Sequence, residues 1–391
     1  MKKQNKYIVF GAPLIGEPEI NEVVKTLRSG WLGTGPKVAQ FEKMISQLTG
    51  AKYCMAVNSC TAALHLSMIA SGIGEGDEVI TTPLTFCATA NSIIHSGATP
   101  VFVDVNPETM NIDETKIEKA ITKKTKAIMP VHFAGRPAEM DKIMAIAKKH
   151  KLLVIEDAAH AINAQYKGKM IGSIGDLTCL SFYVTKNITT GEGGMVLTNN
   201  KEFADKIKVL ALHGMSKDAW KRFSDDGYKH YEVVYPGFKY NMMDIQASIG
   251  IHQLKTIKKG DLKRKKLWDF YNKELASLPI GLPSYKAKYK GSKIKHVMHL
   301  YTILVDEKQS GINRDKFMQE MHNRGIGTGV HYNPVHLHQY YRNTYAYKKG
   351  DYPNAEYIGS RTVSLPLSAK LTMEEAKRIV SSVREILVKN K

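Results

Sequence analysis

Residues 152–194, LLVIEDAAHAINAQYKGKMIGSIGDLTCLSFYVTKNITTGEGG, decide how the rest of the chain is read. The opening apolar run, Leu152 to Ile155, reads as a buried parallel strand and ends in two acids, Glu156 and Asp157. Small residues follow, then His160. A second apolar run, Leu177 to Tyr183, leads to Lys186 and the glycine-rich turn GEGG. A carboxylate at one strand end and a lysine near another suit pyridoxal 5′-phosphate (PLP). The amine bonds to the aldehyde as a Schiff base, and the carboxylate pairs with the protonated ring nitrogen, so the ring withdraws electrons. Strand-end acids and surface lysines are each common. The inference rests on their joint placement with a phosphate site upstream.

That phosphate site lies at residues 54–72. CMAVNSC reads as a short strand and polar turn, and TAALHLSMIASG as a helix closed by Gly72. A helix N-terminus offers unpaired N–H groups and positive partial charge, so Cys60 and Thr61 can present amides, and Thr61 a hydroxyl, to a phosphate. A plain N-cap role for Ser59 or Thr61 explains the same residues locally. Next, GDEVITTPLTFCATANSIIHSGATPVFVDV gives strand, helix and strand. Phe86, just past VITT, is placed to stack on a flat ring, with core burial the competing reading. Further βα units lead to Asp157 and Lys186. The alternation predicts an α/β fold, a mostly parallel sheet wrapped by helices, with ligands beyond the strand C-termini.

At the other end of this unit, EPEINEVVKTLRS spaces Ile20, Val23, Val24 and Leu27 at helical intervals. SGWLGTGPKV, with Thr34, is either a structural turn or a loop over a ligand. Past residues 255–260 the pattern becomes α+β: HVMHLYTILVD reads as a strand, NRDKFMQEMHNRG and MEEAKRIVSSVREILVKN as helices. The division expected is a 1–30 arm on the small domain, a 31–257 large domain and a 258–391 small α+β domain.

The 391 residues suffice for two domains. No run of about eighteen apolar residues predicts a membrane span, and the N-terminus lacks a signal-peptide pattern. The four cysteines, Cys54, Cys60, Cys87 and Cys179, have no CxxC spacing and read as free thiols of a cytoplasmic protein. The net charge of +19 is spread over predicted helix faces, densest in KKGDLKRKK at 258–266. It fits a lysine-rich surface or attraction of a small anion better than nucleic acid, for which no motif is present. GxGxxG after a strand, GxxxxGK[ST] and HExxH are all missing. His331, His336 and His338 lack a carboxylate at helical spacing, and no metal is expected.

The motifs SCTAALHL, GDEVITTPLTF, ATPVFVDV, TKAIMPVHFAG, VIEDAAHA, SFYVTKNITTGEGGM, LHGMSKDAW, PGFKYNMMDIQASIG and RGIGTGVHY together resemble the sugar-nucleotide aminotransferases, a branch of the fold-type I PLP enzymes. The likeness runs in order over nearly the whole chain. SGWLGTGPKV, PGFKYN, GTGVHY and SLPLSAKLT look most like the C4 aminotransferases that make UDP-4-amino-4-deoxy-L-arabinose and 4-amino-4,6-dideoxyhexoses.

The resemblance implies roles. Lys186 matches the Schiff-base lysine and Asp157 the partner of the pyridinium nitrogen. His160 falls near the ring oxygen, and Phe86 at the stacking position. Cys60, Thr61 and Ser181 match the phosphate cradle. Asn241 matches an asparagine that reaches the phosphate from the other subunit of a homodimer, and His331 a histidine beside the sugar. Thr34 is a further candidate for the substrate side, and Arg264 for the diphosphate. Two departures stand out: relatives often have glycine or alanine where Cys60 stands, and tryptophan or tyrosine in place of Phe86. A family variant with histidine for the lysine is a dehydratase, which Lys186 argues against.

The implied reaction is ping-pong transfer from L-glutamate, through pyridoxamine phosphate, to C4 of a nucleotide-linked, UDP-type 4-keto sugar for cell-surface glycans. Transfer at C3, a PLP lyase and a non-catalytic PLP-binding regulator stay open as alternatives. Intact Lys186 and Asp157 weigh against the last.

Overall fold

The structure, a computed structural model, describes residues 6–216, 231–284 and 293–389. The 217–220 end of the LHGMSKDAW motif lies outside them.

Seven strands build the central sheet: β1 (Tyr53–Val57), β2 (Glu78–Thr81), β3 (Thr99–Phe102), β4 (Thr125–Ile128), β5 (Leu153–Asp157) and, past the small hairpin β6 (Gln165–Tyr166) and β7 (Lys169–Met170), β8 (Leu177–Ser181) and β9 (Gly194–Thr198). Their order is β1-β9-β8-β5-β4-β2-β3. Every neighbouring pair is parallel except those made by β9, which runs against both β1 and β8. β8 and β9 are buried at every position, as strands covered on both faces must be. The sequence places the β8 run through Tyr183. The ladder stops at Ser181, and the chain turns through 182–193 to return as β9. That turn carries Lys186.

Helices cover both faces. Val38, Phe41 and Ile45 of helix Pro36–Thr49 pack with Leu180, Phe182 and Leu197 on one side. Helix Cys60–Ala70 packs its Leu64, Leu66 and Met68 with Ile155, Leu177 and Val196 on the other. Ser59 caps that helix, its Oγ accepting the Ala62 N–H at 3.1 Å.

A second core gathers Leu267, Trp268, Tyr271 and Leu275 of helix Ile257–Leu275 with strands β10 (Tyr301–Leu304) and β11 (Thr362–Leu365) and the terminal helix Met373–Lys389. The expected strand HVMHLYTILVD is shorter than its apolar run. Val297 and His299 instead hydrogen-bond the tight turn at Ala134 and Gly135 of the large body. Helix Pro353–Gly359 likewise sends Ala355 and Ile358 against Leu84 and Phe133 of that body. The N-terminal segment is split too. Ile8 bridges Ile326 in the second core, whereas helix Glu17–Ser29 lies on helix Asp244–Lys255. This helix buries Glu19, whose carboxylate accepts from Gln253, and leaves Ile20 and Leu27 about half exposed. Trp31, Leu32, Leu14 and Ile15 extend the same apolar exposure.

Candidate active site

Beyond the C-termini of β5 and β8 lies a cavity of about 620 Å³. Asp157 ends β5, Lys186 comes from the β8–β9 turn, and helix Cys60–Ala70 points its N-terminus between them.

Strand alternation separates the two acids of IED. Glu156 is fully buried away from the cavity, accepting from His132 Nε2 (2.8 Å), Gly175 N (2.8 Å) and Thr178 Oγ1 (2.8 Å). Asp157 lines the cavity. Thr89 Oγ1 donates to its Oδ2 (2.7 Å) and Ala159 N to its Oδ1 (3.1 Å). Each carboxylate oxygen therefore keeps acceptor capacity for a further donor.

Lys186 Nζ makes no hydrogen bond or ion pair among the described residues. Burial lowers its amine to about 8, against the weaker opposing pull of Cys60 and Asp157. A lysine so desolvated is a usable nucleophile and base near neutral pH.

The cradle is built from bare backbone. The amides of Cys60 and Thr61, first in their helix, have no partner among the described residues, and both residues line the cavity. A Cβ on Gly194 would stand 2.4 Å from the Ser59 carbonyl and 2.6 Å from the Cys60 nitrogen, so only glycine lets β9 reach this helix start. Ser181 completes the wall. Burial pushes the Cys60 thiol well up, keeping it neutral beside an anion. Phe86, 59% exposed, presents an open ring face to the cavity rather than packing into the core. Orphaned helix amides, an unpartnered amine, a strand-end carboxylate and a free aromatic face fit PLP. Lys186, Asp157, Cys60, Thr61, Ser181 and Phe86 are the residues that would hold it.

His160 is buried in the cavity wall, with its pKa well below the ordinary imidazole value, first through burial and then through the charges of Lys186 and His331. Burial likewise takes His331 down to about 3. The His331 ring stacks on Phe10 (5.5 Å) and its Nδ1 meets Ser364 Oγ at 2.8 Å.

Three predicted residues are elsewhere. Thr34 and Asn241 bond to each other (2.8 Å) beside a separate pocket, outside the cavity of their own chain. Arg264 is 3% exposed, and its Nη1 donates to the carbonyls of His299 and Leu367. It is a core cation, not a surface one, because its helix turns it toward the second core. It does not line the cavity. Sequence reasoning missed Thr85, Thr89, His299 and Tyr332. Tyr332 follows His331 in the quoted GVHY, which was the available signal. Thr89 becomes visible only once helix Cys87–His95 is docked on Asp157. Among the described residues no cluster of potential ligands could hold a metal.

A family model described as the DegT/DnrJ/EryC1/StrS aminotransferase family matches residues 13–384. The chain is 50% identical over 388 residues, 99% of each protein, to the spore coat polysaccharide biosynthesis protein SpsC of Bacillus subtilis. It superposes on the putative sugar aminotransferase Spr1654 of Streptococcus pneumoniae, solved in a PLP form, with a TM-score of 0.90 at 34% identity, covering 98% of this chain and 100% of that one. For PseC of Helicobacter pylori, described as an aminotransferase of pseudoaminic acid biosynthesis, the TM-score is 0.89 at 31% identity, over 98% and 100% of the two chains.

Proposed function

The chain belongs to the DegT/DnrJ/EryC1/StrS aminotransferase family and is a PLP-dependent transaminase; on that premise we propose that it moves an amino group from L-glutamate to C4 of a UDP-linked 4-keto sugar, for a surface polysaccharide. The observation that carries the reading is the cavity that brings Lys186, Asp157 and the free Cys60 and Thr61 amides together, in a chain half identical to SpsC. The C4 position and the UDP moiety are supported by the SGWLGTGPKV, PGFKYN and GTGVHY stretches, which resemble the C4 enzymes.

PLP, when bound, supplies an aldehyde to capture amines and a ring that withdraws electrons, and it carries the amino group between two half-reactions. Lys186, lowered to about 8, would move the proton between the substrate carbon and the cofactor carbon that bears the amino group, in opposite directions in the two halves. Asp157, fixed by Thr89 and the Ala159 amide, holds the proton on the ring nitrogen. The amides of Cys60 and Thr61 bind phosphate through helix-terminal partial charge. His331, neutral at physiological pH, faces the incoming sugar.

A cytoplasmic homodimer with shared sites is part of the proposal. Two observations support it. Thr34 and Asn241 lie outside their own cavity, and the Ile20, Leu27 and Trp31 surface is left uncovered by the described residues. Among the described residues no helix is long and apolar enough to cross a membrane.

The test is incubation of the PLP-loaded protein with L-glutamate and a panel of 4-keto and 3-keto sugar nucleotides. Products are identified by mass spectrometry and NMR. Amination of a 4-keto UDP-sugar is expected, and exclusive amination at C3 would overturn the C4 assignment.

A further inference from the structure

Tyr332 enters the cavity from the second body and is also a wall of an adjoining cavity of about 640 Å³. Its hydroxyl lies 3.1 Å from His160 Nε2. The direction of that bond is fixed from behind. Ala134 N donates to His160 Nδ1 at 3.3 Å, and a backbone N–H can only donate. Nδ1 is therefore an acceptor, the ring's one hydrogen sits on Nε2, and Tyr332 Oη accepts it. Among the described residues Oη makes no second hydrogen bond, so the phenolic hydrogen has no acceptor among them. It is left for something in the cavity. Burial raises the phenol pKa, which keeps that hydrogen on oxygen.

The arrangement is rigid. His160 packs against His299 with ring centroids 4.4 Å apart and planes tilted by 36°, and His299 Nδ1 meets Asn187 Oδ1 at 2.9 Å, one residue from Lys186. Gly135 permits the turn that aims the Ala134 amide. It has φ +89°, and a Cβ there would stand 2.9 Å from the His160 carbonyl.

Each half-reaction of a transaminase converts a carbonyl oxygen to water, or the reverse. The oxygen leaves with two hydrogens from the attacking amine, and charge builds on it as the C=O bond opens. A fixed donor at that oxygen lowers the barrier and loses no proton overall. Of the cavity groups assigned a part above, Asp157 only accepts, Lys186 handles the carbon-bound proton, and His331 Nδ1 is engaged with Ser364; the hydroxyls of Tyr183 and Thr185 also line the cavity, but neither is aimed by a directed bond like that from His160. We propose that Tyr332, oriented by His160, is a catalytic residue that donates its phenolic hydrogen bond to the carbonyl oxygen of the amino acceptor. For the sugar half this rests on the function proposed above. For the oxo-acid half it does not.

The experiment uses the PLP-loaded enzyme converted to its aminated form, and a panel of 2-oxo acids from which the fastest wild-type substrate is chosen. Tyr332→Phe is expected to slow its turnover by about 100-fold or more, with PLP affinity within about threefold of wild type. In the unreactive complex of that oxo acid with the PLP form, the ¹³C-labelled carbonyl stretch should lie at higher frequency in Tyr332→Phe than in wild type. Wild-type turnover with an unshifted stretch would overturn the assignment. Should Tyr332→Phe fail to fold, Tyr332→fluorotyrosine variants of graded acidity keep the shape. Rates that track phenol acidity support donation, and rates indifferent to it refute donation. A wild type that turns over an oxo acid but no keto sugar nucleotide sinks the proposed function and leaves the Tyr332 test intact.

Discussion

Thr89 Oγ1 donates a 2.7 Å hydrogen bond to Asp157 Oδ2, and Thr85 Oγ1 lies 2.7 Å behind it. Because Thr89 spends its own hydrogen on a carboxylate, Thr85 must be the donor in the second bond. The chain Thr85→Thr89→Asp157 is fully buried and one-directional. It holds the carboxylate that is proposed to face the ring nitrogen, and it drains part of that group's negative charge.

Thr89→Val should therefore release Asp157 while leaving the cavity its shape. A hydrogen bond to a charged group is worth about 1.5–3 kcal/mol, which sets an expected loss of about 10–100-fold in kcat. The pH dependence of the bound cofactor's absorbance should move as well. Thr85→Val, one bond further away, should cost less. Asp157→Asn should lose more than either, with the thermal midpoint little changed.

Lys186 is costly to the unliganded fold. Its pKa falls to about 8 from an ordinary 10.5, so below pH 8 the folded state carries a desolvated ammonium that the unfolded state does not. Between the two values the unfolded chain binds more protons, and stability rises with pH. Lys186→Met in the PLP-free protein should gain about 1–3 kcal/mol near neutral pH. The gain should shrink as pH rises from about 8 to 10.5. Chemical denaturation across pH would show it, and an advantage that grew with pH would contradict the sign. The same variant should fail to retain cofactor after borohydride treatment.

Gly194→Ala tests the cradle. Its Cβ meets backbone, the Ser59 carbonyl at 2.4 Å, which cannot swing aside as a side chain can. Loss of at least about 2 kcal/mol is expected from the overpacking. PLP affinity should weaken by an order of magnitude or more, because the helix start must retreat from the phosphate. Calorimetry and cofactor titration read the two effects separately.

Arg264→Met separates a structural cation from a substrate-binding one. Its Nη1 serves two buried carbonyls, and burial lowers the guanidinium to about 10. Stability should fall by about 2–5 kcal/mol as those acceptors lose their partner. KM for a sugar nucleotide should stay within a fewfold of wild type. A large KM rise in a protein of unchanged stability would restore the diphosphate role.

Periodicity and strand-end chemistry were enough to find Asp157, Lys186 and the Cys60–Thr61 helix start, since each is fixed by its own neighbours: an apolar strand before it and a turn or cap after it. The same local logic failed for Arg264. KKGDLKRKK reads as a solvated face, and which side of helix Ile257–Leu275 meets the second core is not written in its charges. Helix Glu17–Ser29 failed in the opposite sense. Its apolar stripe is half exposed, while Glu19 lies on the buried face, its carboxylate accepting from Gly16 N and from Gln253, a residue 234 positions away.

The amino-acid sequence by itself determined the βα alternation, the parallel sheet and the lysine–aspartate pair, because hydrophobic period and strand-end polarity act over a few residues. Tertiary structure alone decided that β9 runs antiparallel, that Thr89 lands on Asp157, and that Ala134, His160 and Tyr332 line up as one directed chain of hydrogen bonds. Packing of helix on sheet within the large body brings Thr89 to Asp157 and Ala134 to His160, and only the docking of the second body brings Tyr332 within reach of His160.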